Sequence, residues 1–179
     1  KGFKEAFVII GDELVPELGG GACQTATTLY NAVQLADLKV QQRVNHAIYF
    51  SIYPLGRDAA IYPPYPNLKF TNDTGYPVII KGHATKRSLT YWIWGERSGK
   101  TVYFTAPSLY YLKKTQQVAE TIEGLKTAPK TKTVQNPFRT YVQRIVKQNG
   151  KIIKKEDIWS TYLANGDRDR IRIRRMEPR

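Results

Sequence analysis

One cysteine and two histidines are all that this chain of 179 residues offers to thiol and imidazole chemistry. With Cys23 alone, no intramolecular disulfide framework forms and no multi-cysteine zinc or iron–sulfur cage can be built. His46 and His83 are too few for most structural metal sites, so neither a metal nor an organic cofactor is expected. Long apolar runs are missing as well. Nothing approaches the roughly 18 consecutive apolar residues that span a bilayer, and the opening Lys1-Gly-Phe-Lys-Glu-Ala6 carries no leader pattern. Internal repeats and true low-complexity tracts are absent too. What remains is the composition of a globular protein, 41% hydrophobic and 24% charged, with enough length to bury a real core.

Basic residues are scarce in the first half. Residues 1–95 hold 9 Lys/Arg against 7 Asp/Glu, while residues 96–179 hold 19 against 8, so nearly all of the +13 net charge belongs to the second half. That asymmetry suggests a near-neutral unit joined to a segment that meets something anionic: nucleic acid, acidic lipid or an acidic surface polymer. Nucleic acid is the weakest of these. Arg168–Arg179 is basic and alternating, but no recognised nucleic-acid motif accompanies it and the aromatics lie elsewhere.

Along the chain, Phe7–Ile10 and Glu13–Pro16 flank Gly11-Asp12 and read as a hairpin or a strand entering a loop. After Gly19-Gly20-Gly21, the residues Ala26, Leu29, Ala32, Val33 and Ala36 recur at helical spacing, which predicts one helix over Cys23–Leu38. Val40–Tyr53 is rich in β-branched and aromatic residues. Tyr62-Pro-Pro-Tyr-Pro66 must be a rigid loop, because its three prolines remove donors and fix the backbone. Leu68–Thr71, Tyr76–Ile80, Ser88–Trp94 and Lys100–Thr105 read as the strands of a meander. Residues 106–137 are less regular, with a short helix or strand at Val118–Leu125. Asn149-Gly150 between Phe138–Val146 and Lys151–Tyr162 signals a hairpin, and Asn165–Arg179 is a charged tail.

The chemistry gathers around the helix start. A cysteine in a first helical turn meets unpaired backbone N–H groups and the positive end of the helix dipole, both of which favour thiolate. The glycines before Cys23 allow a ligand close to the backbone, and nearby N–H groups suit an oxyanion hole for acyl transfer through a thioester. The same residues also suit an inert buried thiol. His46 stands 23 residues further on, where a returning strand brings an imidazole to the helix start, although a surface histidine fits that position as well. His83 reads as a turn residue. In Gly56-Arg-Asp-Ala59, Arg57 has the fork that grips a carboxylate and Asp58 the charge that orients a histidine; an ordinary solvated turn has the same composition. Asn72-Asp-Thr74 is turn chemistry.

Gly19-Gly-Gly-Ala-Cys-Gln-Thr-Ala-Thr-Thr-Leu-Tyr-Asn-Ala32, followed by Val44-Asn-His46, Gly56-Arg-Asp-Ala59 and Phe70-Thr-Asn-Asp-Thr-Gly-Tyr-Pro77, resembles the signature of the VanW domain family. The resemblance covers about Lys1–Trp94, and Trp159-Ser-Thr-Tyr162 is weakly similar to the ending of family members. Where relatives often show His-Ser-Xaa-Pro-Val, this chain has His46-Ala-Ile-Tyr-Phe50, and it begins inside the family pattern, without the upstream segment. The resemblance implies a bacterial cell-envelope protein outside the cytoplasm, with membrane contact only through segments outside this sequence. It further implies an L,D-transpeptidase that forms 3-3 cross-links between peptidoglycan stem peptides. By it, Cys23 is the nucleophile and His46 the general base. Asp58 belongs with them, and Gly20, Gly21, Gln24, Tyr30 and Arg57 are expected to bind substrate.

The expected architecture is α+β: one main helix, carrying the cysteine at its N-terminus, packed on a mostly antiparallel sheet, with a small basic β appendage. Residues 1–105 form the catalytic domain and 106–179 a basic extension with a hairpin. Expected partners are stem peptides and anionic wall polymers, without nucleic acid. Two other readings remain. A cysteine before a histidine is also the chain order of papain-like and NlpC/P60-type peptidases, which would give hydrolysis, and a non-catalytic wall-binding module could use Tyr62–Tyr65 and the basic tail.

Overall fold

A computed structural model describes residues 5–10, 13–111 and 137–163. The expectations for Val118–Leu125 and Asn165–Arg179 lie outside these residues. The chain begins with the antiparallel pair β1 (Glu5–Ile10) and β2 (Glu13–Leu18). Helix α1 (Ala22–Leu35) follows. Its start is set by Gly21, whose φ of 86° is one that residues with a Cβ adopt at a cost. Its end is a Schellman closure: Asp37 takes the left-handed conformation (φ 54°), its N–H bonds to the Gln34 carbonyl, and the Leu38 N–H bonds back to the Val33 carbonyl. The helix is therefore shorter than the spacing predicts. Ala36 and Leu38 serve its closure.

Next come β3 (Lys39–Gln42) and β4 (Lys69–Thr71), paired across a long irregular excursion. β5 (Ile79–Ala84) and β6 (Leu89–Trp94) form a hairpin closed at Thr85–Ser88. β7 (Lys100–Phe104) and β8 (Ser108–Tyr111) lie end to end along one edge of β9 (Phe138–Gln148), whose other edge pairs with β10 (Lys151–Tyr162). Asn149 and Gly150, both at positive φ, make the tight turn that the Asn-Gly pair signals.

The expected α+β plan is thus corrected. Among the described residues the chain is mostly β, its strands are divided among four antiparallel sheets, and α1 packs against β6, β3 and β7 of three different sheets. The middle is no meander either, because β3 pairs with β4, β5 with β6, and β7 reaches forward to β9. Most of Val40–Tyr53 is irregular beyond Gln42. The final hairpin is no appendage: every second side chain of β9 from Phe138 to Val146 is buried, and Phe138, Val142, Ile145 and Val146 are core residues together with Tyr162 of β10. The physical reason is burial. The inner face of β9 carries Phe138, Val142 and Val146 at alternate positions, with Thr140 and Arg144 buried between them and hydrogen-bonded to the Ser108 and Gln34 carbonyls.

Arg144 fastens this sheet to the helix. It is 1% exposed, its Nε donates to the Gln34 carbonyl at 3.0 Å, and its guanidinium pairs with Asp37 and Glu156. A cation at the last carbonyls of a helix is where the macrodipole favours one.

Candidate functional site

Cys23 is the second residue of α1 and is partly buried. The preceding Ala22 N–H is taken by the Gly19 carbonyl, whereas the Cys23 and Gln24 N–H groups have no backbone partner among the described residues. They are the orphan donors of a helix start. The thiol sulfur lies 3.5 Å from the Ile61 carbonyl oxygen.

The helix positions the rest of the site through its side chains. Thr27 Oγ1 accepts from the Ala59 N–H at 3.0 Å and donates to the Ala59 carbonyl at 3.2 Å. Asn31 Nδ2 donates to the Arg57 carbonyl at 2.9 Å. These bonds lay residues 57–59 along α1, where Ala59 packs fully buried against Ala26 and Tyr30. The Ala60 N–H then bonds to the Val44 carbonyl, which draws the histidine segment alongside.

Asp58 closes the arrangement. Its Oδ2 accepts from the His46 backbone N–H and from Nδ1, both at 2.7 Å, which leaves Nε2 as the ring nitrogen not bound to Asp58. Its Oδ1 accepts from Arg43 Nη2 at 3.1 Å and from the Tyr162 hydroxyl at 2.6 Å. His46 stacks on Tyr53 with ring centroids 5.1 Å apart and meets the edge of Phe50 at 5.5 Å. Burial disfavours the imidazolium, but its hydrogen bonds to Asp58 and Cys23 outweigh that and raise His46 to about 9. Burial likewise pushes the Cys23 thiol up, but the hydrogen bond with His46 and a backbone bond with Ile61 bring it below its ordinary value. The two shifts run in the directions that favour thiolate and imidazolium. Asp58 is 2% exposed, yet its four donors more than offset burial and hold its carboxyl below the ordinary value.

The expected residues fall into two groups. Cys23, His46 and Asp58 come together in one constellation. Gly20, Gly21 and Gln24 flank it at the helix start, with Gly21 and Gln24 exposed. Arg57 does not join it. Neighbouring residues of an extended segment point to opposite sides, and its guanidinium lies 4.2 Å from the Phe104 ring centroid while Asp58 faces His46. Tyr30 does not reach a substrate either: it is 2% exposed, its hydroxyl accepts from Gln34, and Arg43 sits over its ring. It is a core residue because the helix face that carries it also carries Ala26 and Val33.

Sequence reasoning misses Arg43 and singles out Tyr162 only through a weak likeness. Arg43 donates to the carbonyls of Asp58, Gly56 and Trp159 besides the Asp58 carboxylate. Nothing near it in the sequence signals that role, since its partners lie up to 116 residues away. His83 lies on β5, exposed and apart from these residues. Among the described residues no cluster of His, Cys, Asp and Glu is placed to hold a metal ion, and no helix is long and apolar enough to cross a membrane.

The family model for VanW-like proteins matches residues 1–94, just over half of the chain. The chain belongs to the VanW-like family. Within this family member, Gly19–Ala32, His46 and Gly56–Ala59 all fall inside the matched stretch, and the β9–β10 hairpin that supplies Tyr162 falls beyond it. Among curated proteins, the uncharacterized protein YoaR of Bacillus subtilis (strain 168) is 40% identical over 81 residues. That alignment takes in 45% of this VanW-like chain and 27% of YoaR, so the chain spans well under a third of the relative's length. No solved structure matches the chain.

Proposed function

We propose that this VanW-like chain is a cysteine acyltransferase that acts on peptidoglycan stem peptides in the bacterial cell envelope, as an L,D-transpeptidase. The observation that carries the reading is the thiol of Cys23, at a helix start with free N–H groups, paired to a His46 imidazole whose Nδ1 is 2.7 Å from Asp58. A nucleophile, a base oriented by a carboxylate, and donors for an oxyanion are the parts that acyl transfer through a thioester requires. The cell envelope is the setting with which the family is associated.

In this reading the Cys23 thiolate attacks the carbonyl that joins the third stem residue to D-Ala. The Cys23 and Gln24 N–H groups receive the negative charge of the tetrahedral intermediate. Its collapse breaks the C–N bond, His46 Nε2 gives its proton to the departing D-Ala amine, and the acyl group remains on sulfur. An amine of a neighbouring stem then attacks the thioester, the now neutral His46 takes the proton of that amine, and the thiolate leaves. The product is a 3-3 cross-link. Water in place of the amine gives a shortened stem instead, and the rings of Phe50 and Tyr53 against the imidazole limit water from that side. The basic second half of the chain would draw the domain to anionic wall polymers.

The test is mass spectrometry of disaccharide-tetrapeptide muropeptides incubated with the protein and with Cys23→Ala. Cysteine-dependent loss of D-Ala with 3-3 dimers is the expected result. Shortened monomers alone would replace transfer by hydrolysis, and no change with either protein would favour a binding module.

A further inference from the structure

Asp58 is tied through both carboxylate oxygens, and of its four donors only the Tyr162 hydroxyl lies beyond the stretch that the family model matches. Its Oδ2 faces His46, while its Oδ1 is held by Arg43 and by the Tyr162 hydroxyl, 104 residues away at the end of β10. That hydroxyl also accepts the Gly56 N–H at 3.1 Å, so its single proton is committed to Asp58. The ring is fully buried and is held independently of its oxygen, with centroids 5.0 Å from Phe138 and 5.5 Å from Tyr49. The end of β10 also fastens the histidine segment. Asn45 Nδ2 donates to the Thr161 carbonyl at 2.7 Å, and the Leu163 N–H donates to the Ala47 carbonyl at 2.7 Å.

A carboxylate on a short side chain rotates about χ2 with a broad, roughly two-fold preference. Four donors, two on each oxygen, remove that freedom. Without the hydroxyl, Oδ1 keeps Arg43 alone among side chains, and Arg43 has three backbone carbonyls to which it can turn instead.

We propose that Tyr162 is a positioning residue for the catalytic pair: its hydroxyl fixes the rotation of Asp58 so that Oδ2 meets His46 Nδ1, which makes the C-terminal hairpin an integral part of the acyl-transfer site. The proposal rests on the reading of Cys23, His46 and Asp58 as a catalytic unit, and its test needs no peptidoglycan substrate. The groups that face the imidazole are Asp58, Cys23, Tyr53 and Phe50, with Arg43 and Tyr162 behind the carboxylate.

Tyr162→Phe keeps the ring and removes the oxygen. Two effects of opposite sign can then be told apart. A carboxylate that loses a donor but stays in place concentrates its charge and pushes His46 further up, whereas one that swings away lets His46 fall. The experiment titrates the His46 ring by NMR and follows the rate of Cys23 alkylation by iodoacetamide in the full chain, in Tyr162→Phe and in Thr140→Val. Thr140 is fully buried in the same sheet and donates its side-chain hydrogen bond to the Ser108 carbonyl, not to Asp58 or Tyr162, and its variant should leave both readouts unchanged. The expected result for Tyr162→Phe is a folded protein whose His46 titrates about one pH unit lower, a tenfold change in the ratio of imidazolium to imidazole, with alkylation slowed at neutral pH. An unchanged or raised His46 would overturn the proposal. A wild-type His46 that titrates at its ordinary value would instead remove the catalytic pair itself, so the two failures are distinguishable. Should the variant not fold, the unsubstituted protein still decides: a Tyr162 hydroxyl proton in slow exchange, with a cross-peak to the Gly56 amide, is required, and its absence overturns the proposal.

Discussion

Asp58→Asn tests the electrostatics of the site most sharply, because an amide fills the volume of the carboxylate but cannot serve its four donors. One side of Asp58 receives Arg43 and Tyr162, the other the backbone N–H and Nδ1 of His46. An asparagine offers one oxygen, so on one side its amide nitrogen must face two donors. If the oxygen stays with Arg43, the imidazole is driven to the tautomer with a bare Nδ1 and a proton on Nε2, which cannot accept a proton from the thiol. Asp58 is 2% exposed, so solvent does not relieve the mismatch. Hydrogen bonds to a buried charge are worth about 1.5–3 kcal/mol each, and breaking a buried ion pair costs about 3–5 kcal/mol. The variant should therefore lose about 3–5 kcal/mol in urea denaturation at neutral pH. His46, relieved of its anion but still buried, should drop from about 9 to its ordinary value of 6.5 or below. Turnover should fall on the order of 10⁴, the scale at which other triads respond to this change. A variant within about 1 kcal/mol of wild type, with His46 still titrating near 9, would refute the reasoning.

Other consequences follow from the same geometry. Because Cys23 lies below its ordinary value and His46 is raised to about 9, the pH midpoint of Cys23 alkylation by iodoacetamide should lie below that of a free thiol, and acyl-transfer turnover should decline as pH rises through about 9; an alkylation midpoint at or above that of a free thiol would contradict this. Asp37 and Asp58 are both held below the ordinary carboxylate value, so the stability they contribute is complete above that value and lost as pH falls through their lowered ones. Unfolding monitored by circular dichroism should therefore begin below about pH 4, and Asp58→Asn should flatten that part of the curve. Gly56→Ala would place a Cβ 3.0 Å from Val142 Cγ2 at a φ of +76°. It should cost about 2–3 kcal/mol and slow alkylation of Cys23, and a loss under about 0.5 kcal/mol in urea denaturation would contradict this. Arg144→Met removes the buried cation that joins Gln34, Asp37 and Glu156, and should destabilise by about 3 kcal/mol in the same assay, since Asp37 keeps Lys100 at 2.7 Å.

The parts of this site that were legible in the sequence are those whose cause is local. Glycines before a run of apolar residues at helical spacing reveal the helix start and the cysteine on it, and Asn149-Gly150 reveals the final turn. Gly56–Ala59 is legible as a motif but not as a geometry. The sequence offers Arg57 and Asp58 as an adjacent pair, and only the bonds from Thr27 and Asn31 decide that Asp58 faces inward and Arg57 turns to Phe104. Tyr30 illustrates the same limit, since membership of a signature does not distinguish the face of a helix that meets a substrate from the face that meets the core. Tyr162 reaches Asp58 across 104 residues and Arg43 reaches the Trp159 carbonyl across 116, and no local pattern encodes such a contact. The division of the strands among four sheets was hidden for a related reason. Strand character depends on composition and alternation, whereas pairing depends on which edges the turns and the burial of β9 bring together.

The most direct test of the central claim is intact-protein mass spectrometry of the protein after brief exposure to a tetrapeptide muropeptide, with peptide mapping of the modified residue. A mass increase equal to the muropeptide less its terminal D-Ala, located on Cys23, labile to hydroxylamine and absent from Cys23→Ala, is the predicted result. A protein that converts the muropeptide yet carries the acyl group elsewhere, or converts it equally well as Cys23→Ala, would contradict the account.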